Sequence, residues 1–393
     1  YEYHADDKLY PASTTKLMTA LVAWERCSPG DMISVSQQAV DGLAEQGSSV
    51  FLKAGEQMEF MDMLHYLLIA SGNDAANALA EHISSSNSAF AELMNEKAEE
   101  LGCQNTHFAN PSGLHDENHY TSARDLGIIA QAAMKIPELR EIVGKTQHKL
   151  QPTNMHENET TITTTNHLIS RLKDGRYFYK GAYGIKTGTT TPAGYCLIGG
   201  AQSGELDYIT VVLGGEKDPE TGDIGCYTET IKLLDYAKKN FSLQTITSAD
   251  TPIQEVPVRF AAGKEHTKLV AAADSELLLH NDTDLSQVTY EVDAVSTADA
   301  PIKKGEKLGT AKVFIGDTEY GTIDLVASED IERSDVLHAL FQVQEFFKSP
   351  LFRIILVVLI LLILLLIFVF TKRRRARRRR RARSRYSSGH GRR

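Results

Sequence analysis

The sequence predicts an α/β (α+β) fold. An antiparallel sheet with a helical subdomain fills residues 1–245, followed by a small all-β domain over 246–333. An amphipathic juxtamembrane helix (334–349), a transmembrane helix (350–371) and an Arg-rich tail (372–393) complete the chain. Three observations carry this reading. Apolar residues recur with helical periodicity up to about residue 145 and alternate as in strands after it. Near Thr245 the pattern changes to short alternating runs separated by Gly, Asp and Asn. Ile354–Phe370 then supplies 17 apolar residues without a charge.

A length of 393 residues allows two or three domains, and 42% hydrophobic with 24% charged residues is the make-up of a folded chain, not a disordered one. Charge is unevenly spread. Residues 372–393 hold 13 of the 42 basic residues and no acidic one, so residues 1–371 carry 29 basic against 51 acidic residues, a net charge of −22. The apolar run beside the Arg tail is about 26 Å long as a helix, and its flanking residues bring it to bilayer thickness. By the positive-inside rule the tail is cytoplasmic, which makes the chain a single-pass membrane protein with its body on the extracytoplasmic face. A body so placed needs an export signal, and the chain, which begins at Tyr1 without Met, is expected to have lost one.

Ser13–Glu25 has a stripe of Leu17, Leu21 and Trp24, with Met18, Ala20 and Val22 filling much of the rest, which predicts a largely buried helix. Phe60–Ala70, Asp74–His82 and Ala89–Leu101 follow as helices, and Ser122 opens another that runs to about Met134. Tyr177–Thr187, Ala193–Ala201 and Asp207–Leu213 read as strands and Ile224–Asn240 as a helix. The turns joining the last strands are too short for crossovers, so the sheet is expected to be mostly antiparallel. VPVRF, KLVAA, ELLLH, VTYEV, AKVFI and GTIDLV supply the strands of the all-β domain. The stripe in Val336–Phe347 fits a helix lying in the membrane interface, the alternative being a helix packed on the β domain.

Three short motifs carry chemistry. Ser13 and Lys16 sit at i and i+3, on one face of a helix. A lysine in an apolar helix is costly when charged, so its pKa falls, and a neutral amine can take the serine proton. Ser71-Gly72-Asn73 occupies the turn between two apolar helices and can aim two polar side chains into one cleft. Lys186-Thr187-Gly188-Thr189 ends a strand with a cation and hydroxyls suited to a carboxylate, and with a glycine that permits close backbone approach. Each motif alone is also what a helix cap, a turn or a strand end would use.

In this order they match the S-x-x-K, S-x-N and K-T-G set of penicillin-binding proteins and serine β-lactamases. YPASTTKLMTALVAWE, IASGNDAANALAEH, NTHFANPSGLHDENHYTSARDL and GIKTGTTTPAGYCLIGGA resemble the D-alanyl-D-alanine carboxypeptidases, the low-molecular-mass penicillin-binding proteins. APIKKGEKLGTAKVF resembles the family's C-terminal domain. The resemblance implies a β-lactamase/transpeptidase-like catalytic domain. It implies Ser13 as the acylated nucleophile, Lys16 as its base, Ser71 as a proton relay and Asn73 as the group that positions Lys16 and the substrate amide. Lys186, Thr187, Gly188 and Thr189 bind the substrate, and the backbone N–H groups of Ser13 and Thr189 form the oxyanion hole. Lys186 would also help keep Lys16 neutral. The implied partners are peptidoglycan stem peptides ending in D-Ala-D-Ala, β-lactam antibiotics and the membrane. No cofactor, metal or nucleic acid is implied. The family also places a strand of the sheet upstream of Tyr1.

Other signals are set aside. His115-Asp116-Glu117-Asn118-His119 lacks the Glu that H-E-x-x-H requires after its first His and lies in a loop. Cys27, Cys103, Cys196 and Cys226 allow two disulfides outside the cytosol, with no pairing deducible, but so sparse a set fits unpaired thiols better. The Arg tail, directly after a span, fits anionic headgroups better than nucleic acid. No L-P-x-T-G precedes the span, which points to a retained anchor. Two other functions use related features. A β-lactamase-like hydrolase would need fast deacylation, usually from a Glu in an E-x-x-L-N string, and the sequence has none. A catalytically silent peptidoglycan-binding scaffold would not need every motif residue in place.

Overall fold

The computed structural model describes residues 1–41, 48–172 and 175–387, the stretch 378–387 as backbone only. The chain divides into two compact units, Tyr1–Phe241 and Ser242–Arg393.

The first unit opens with a 3-10 turn, Ala12–Thr15, that runs directly into α1 (Lys16–Trp24). Helix α1 is buried from Lys16 to Ala23, as its all-round apolar surface requires. A pair of short strands, β1 (Met32–Ser34) and β2 (Gln57–Glu59), brackets α2 (Gln37–Val40). Helices α3 (Phe60–Leu68), α4 (Asn73–Ser84), α5 (Asn87–Glu100), α6 (Ala123–Met134) and α7 (Pro137–Gly144) follow. Ser36, Ser86 and Ser122 cap α2, α5 and α6 by accepting a backbone N–H three residues on. Around α1 these helices bury Leu17, Met18, Phe60, Leu64, Leu79, Phe90 and Ile129 in one core.

A second small ribbon, β3 (Gln147–Leu150) with β4 (Thr160–Thr163), precedes the main sheet. Neither ribbon is announced by the sequence, because three or four residues are too few for alternation to register. The main sheet runs β5 (Ala182–Thr190), β6 (Gly194–Ser203), β7 (Leu206–Gly215), with both pairings antiparallel. Its first strand begins five residues later than the apolar pattern from Tyr177 suggests, since Gly175–Tyr177 is a 3-10 turn. Ile198 shares a face of the sheet with Lys186 and packs into the helical core, which Ile185 also joins. Leu197 and Ala201 face the other way, onto Tyr227 and Leu234 of α8 (Gly225–Asn240).

The second unit is built on a six-stranded sheet. In chain order its strands are β8 (Phe241–Thr247), β9 (Pro252–Arg259), β10 (His266–Ala271), β11 (Ser275–His280), β12 (Val288–Ala294), β13 (Ala298–Asp299), β14 (Lys307–Ile315) and β15 (Thr318–Ala327). The sheet order is β12-β14-β15-β10-β9-β13, and β8 pairs separately with β11. Val256, Leu269, Ala311, Leu325 and Ile331 form its core. All six alternating runs of the sequence are strands here. Helix α9 (Asp335–Lys348) sets Phe341 against Phe260, with ring centroids 5.0 Å apart, and leaves Val336, Leu340, Val343 and Phe347 exposed. Helix α10 (Pro350–Ser387) continues from the apolar run through the Arg-rich stretch. Its part Pro350–Arg377 is long and apolar enough to cross a membrane.

Candidate active site

Ser13 lies inside the 3-10 turn and Lys16 is the first residue of α1, so one turn of backbone brings the two side chains together. Lys16 Nζ is 2.7 Å from Ser13 Oγ. It also meets Asn73 Oδ1 at 2.7 Å and the Ser112 carbonyl oxygen at 2.8 Å. Lys16 is fully buried, and burial pushes its pKa far below the ordinary lysine range, with the charge of Lys186 pushing the same way. A neutral amine has two N–H groups and one lone pair. The two carbonyl oxygens can only accept, so they take both N–H groups. The lone pair is left for the Ser13 hydroxyl proton, which is the arrangement of a base beside a nucleophile.

The turn between α3 and α4 presents Ser71 and Asn73. Ser71 is buried and has φ +63°, a left-handed conformation that costs a non-glycine residue on the order of 1 kcal/mol. Ala12, next to Ser13, has φ +49°. The strain at Ser71 is held from both sides: Gly72 N–H donates to the Tyr66 carbonyl and Asn73 N–H to the Ser48 carbonyl. Asp74 then accepts from Ser49 Oγ and from the N–H groups of Val50 and Leu52, which ties residues 49–52 to the same turn. Lys186 Nζ donates to Ser71 Oγ at 2.9 Å and to the Thr187 carbonyl at 3.1 Å. Burial lowers Lys186 to about 7.

Strand β5 carries Lys186, Thr187, Gly188 and Thr189 past the 3-10 turn. A Cβ on Gly188 would fall 2.8 Å from the Pro11 carbonyl oxygen and 2.9 Å from the backbone nitrogens of Ser13 and Thr14. The glycine is therefore what lets the strand touch the backbone of the serine turn. Thr187 Oγ1 lies 2.6 Å from Thr165 Oγ1, and the exposed Thr189 donates its hydroxyl to the Gly188 carbonyl.

The residues singled out in sequence thus gather in two hydrogen-bonded sets, Ser13–Lys16–Asn73 and Ser71–Lys186, with Gly188 against the serine turn. Sequence reasoning missed a third element, the loop Asn110-Pro111-Ser112-Gly113. It gives Lys16 its Ser112 carbonyl and accepts from Thr19 Oγ1 through Pro111. Gly113 has φ +80°, and a Cβ there would fall 1.9 Å from the Ala12 carbonyl oxygen. The Asn-Pro-Ser-Gly string signals a turn and nothing more. His119 is also structural. Its Nδ1 accepts from the Ala109 N–H, so Nε2 carries the proton and donates to Thr15 Oγ1 at 2.8 Å. Burial lowers it to about 4.

Elsewhere Asp62, His65 and His148 come together. The two imidazoles stack 3.7 Å apart and 9° from parallel, so their in-plane lone pairs do not converge. Lys145 Nζ stands 3.1 Å from His65 Nε2, where a metal would bind. The four cysteines are free thiols.

Comparison with known proteins bears on this geometry. The D-alanyl-D-alanine carboxypeptidase family profile matches residues 1–217, and that of the penicillin-binding protein 5 C-terminal domain matches 241–333. The D-alanyl-D-alanine carboxypeptidase DacF of Bacillus subtilis is 32% identical over 340 residues, covering 85% of this chain and 82% of the relative. Penicillin-binding protein 5 of Haemophilus influenzae superposes with TM-score 0.61 at 29% identity, covering 84% of this chain and 93% of that one. The Streptomyces K15 DD-transpeptidase superposes with TM-score 0.54 at 30% identity over 60% of this chain and 90% of its own. A profile spanning more than half the sequence and a relative aligned along most of both chains agree with the motifs and their geometry: the chain belongs to the D-alanyl-D-alanine carboxypeptidase family.

Proposed function

We propose that this chain is a serine-type D-Ala-D-Ala carboxypeptidase that trims peptidoglycan stem peptides through an acyl-enzyme on Ser13. Lys16 takes the Ser13 proton as Oγ attacks the carbonyl carbon of the penultimate D-alanine. The backbone N–H groups of Ser13 and Thr189 hold the developing oxyanion. The C–N bond breaks, a proton passes by way of Ser71 to the leaving amine, and free D-alanine departs. Water then attacks the Ser13 ester, and the trimmed peptide leaves. Asn73 positions Lys16 and the substrate amide. Lys186, Thr187 and Gly188 receive the terminal carboxylate. A β-lactam mimics the scissile amide and stays on the same serine. Helix α10 anchors the enzyme as a single-pass span, with both folded units on the extracytoplasmic face and the Arg-rich tail in the cytoplasm.

One observation carries the proposal. A buried lysine, its pKa lowered by that burial, stands 2.7 Å from Ser13 Oγ, 2.7 Å from Asn73 Oδ1 and 2.8 Å from the Ser112 carbonyl oxygen. The test uses membranes from cells expressing the chain, its Ser13→Ala variant and a form ending at residue 333, before both α9 and α10. Labelled penicillin should mark the parent in the membrane fraction, spare Ser13→Ala and mark the truncated form outside that fraction. D-Alanine release from a peptide ending in D-Ala-D-Ala should follow the label. Label or release that persists in Ser13→Ala refutes the assignment, and truncated protein that stays in the membrane refutes the anchor.

A further inference from the structure

Resting on the carboxypeptidase reading of this site, we propose that Thr165 and Thr187 together form a paired-hydroxyl seat for the substrate's terminal carboxylate. Nothing in the K-T-G motif points to Thr165. It lies 22 residues before Thr187, in the irregular stretch after β4, and only the fold brings the two hydroxyls to 2.6 Å.

The chemistry follows from counting protons. Each hydroxyl has one proton and can accept as well as donate. In the free protein one threonine donates to the other, which leaves one proton over. A carboxylate has two oxygens and only accepts, so it can take both protons at once. Binding exchanges one neutral hydrogen bond for two charge-assisted ones, which are roughly twice as strong each. Lys186 Nζ donates to Ser71 Oγ and to the Thr187 carbonyl, and its ammonium adds positive potential at the site. The paired hydroxyls add two further donors to that charge.

Thr165 is placed for this role by its own backbone. Its N–H donates to the Ile69 carbonyl, two residues before Ser71, and its carbonyl accepts from Tyr227 OH of α8 at 3.4 Å. Thr164 Oγ1 accepts from the Asn166 N–H and Asn166 Oδ1 from the Leu168 N–H, which fixes the irregular path on the far side. Burial separates the pair from its neighbours. Thr164, Asn166, Lys186 and Gly188 are buried, whereas Thr165 and Thr187 keep part of their surface open. A β-branched side chain is stiff at χ1, so both hydroxyl positions are set before the ligand arrives.

The test compares the full-length parent with Thr165→Val, Thr165→Ser and Thr165→Ala. D-Alanine release is measured from a peptide ending in D-Ala-D-Ala, and cleavage of the same peptide is measured with its terminal carboxylate as the methyl ester. Val keeps the shape and removes the hydroxyl, while Ser keeps the hydroxyl and removes the methyl. The expected result is a fall of about tenfold in the preference for acid over ester in the Val and Ala variants, the loss of one hydrogen bond to a charge, with substantial rescue by Ser. Ala repeats the measurement should Val fail to fold. A preference unchanged in Val and Ala overturns the proposal, and so does a Ser variant as impaired as Val, since that is the signature of packing. No release by the parent itself overturns the carboxypeptidase reading and this proposal with it, whereas an active parent matched by Val overturns this proposal alone.

Discussion

Replacing Gly188 by alanine should slow acylation of Ser13 while leaving the fold standing. Gly188 is not in the left-handed region, so an alanine can adopt its backbone and the effect is one of space alone. The new Cβ would lie 2.8–2.9 Å from three backbone atoms of the serine turn, against 3.4 Å for ordinary contact. All three atoms belong to Pro11, Ser13 and Thr14, and no side-chain rotation relieves them. The turn must therefore move away from β5 by about 0.5 Å, at a cost of about 1–3 kcal/mol typical of overpacking. That displacement carries Ser13 Oγ and its N–H with it. Since a misplacement of about 1 Å costs about 100-fold in rate, half of it should cost about tenfold. The assay is the second-order rate constant for acylation by a fluorescent penicillin, with a thermal melt of the same sample. Acylation within twofold of the parent, in a protein that melts at the same temperature, would refute the claim that this glycine sets the distance between strand and serine turn.

Two further outcomes are expected. Gly127→Ala, inside α6 with nothing within 4 Å of the new Cβ, should stabilise the chain by about 0.5–1 kcal/mol and leave the acylation rate alone; a lower melting temperature would contradict the open space at that site. Lys186 is lowered to about 7 by burial in the folded state, against about 10.4 for an unfolded lysine. Between these values the unfolded chain binds more protons, so the penalty for burying Lys186 is full below pH 7 and fades as pH rises toward 10.4. From pH 7 to pH 9 the parent should therefore gain about 2 kcal/mol more stability than Lys186→Met, as read by urea melts of the detergent-solubilised chain. Equal gains in the two proteins would mean that Lys186 keeps its charge in the fold.

Much of this protein is legible in its sequence because the relevant geometry is local. A helical repeat alone puts Lys16 one turn from Ser13, and alternation alone finds six of the eight strands of the second unit. An uncharged run of 17 residues is enough to mark a helix long and apolar enough to cross a membrane. The short ribbons escape because a few residues cannot carry a period. The irregular stretch around Thr165 escapes because its shape is held by individual hydrogen bonds that follow no repeat.

What the sequence alone determined is the inventory of chemistry: a serine with a lysine at helical spacing, a polar turn, a strand ending in a cation and hydroxyls, and a long apolar helix. Tertiary structure decided what those groups do to one another. It set Asn73 and the Ser112 carbonyl, 57 and 96 residues away, around Lys16 as hydrogen-bond acceptors, while burial and the charge of Lys186 lower the pKa of that amine. It also pressed Gly188 against the serine turn and joined Thr165 to Thr187. Spacing along a chain fixes neighbours only within a turn or a strand pair. The environment that tunes a pKa or aims a proton comes from packing between distant segments, and only the folded core supplies it.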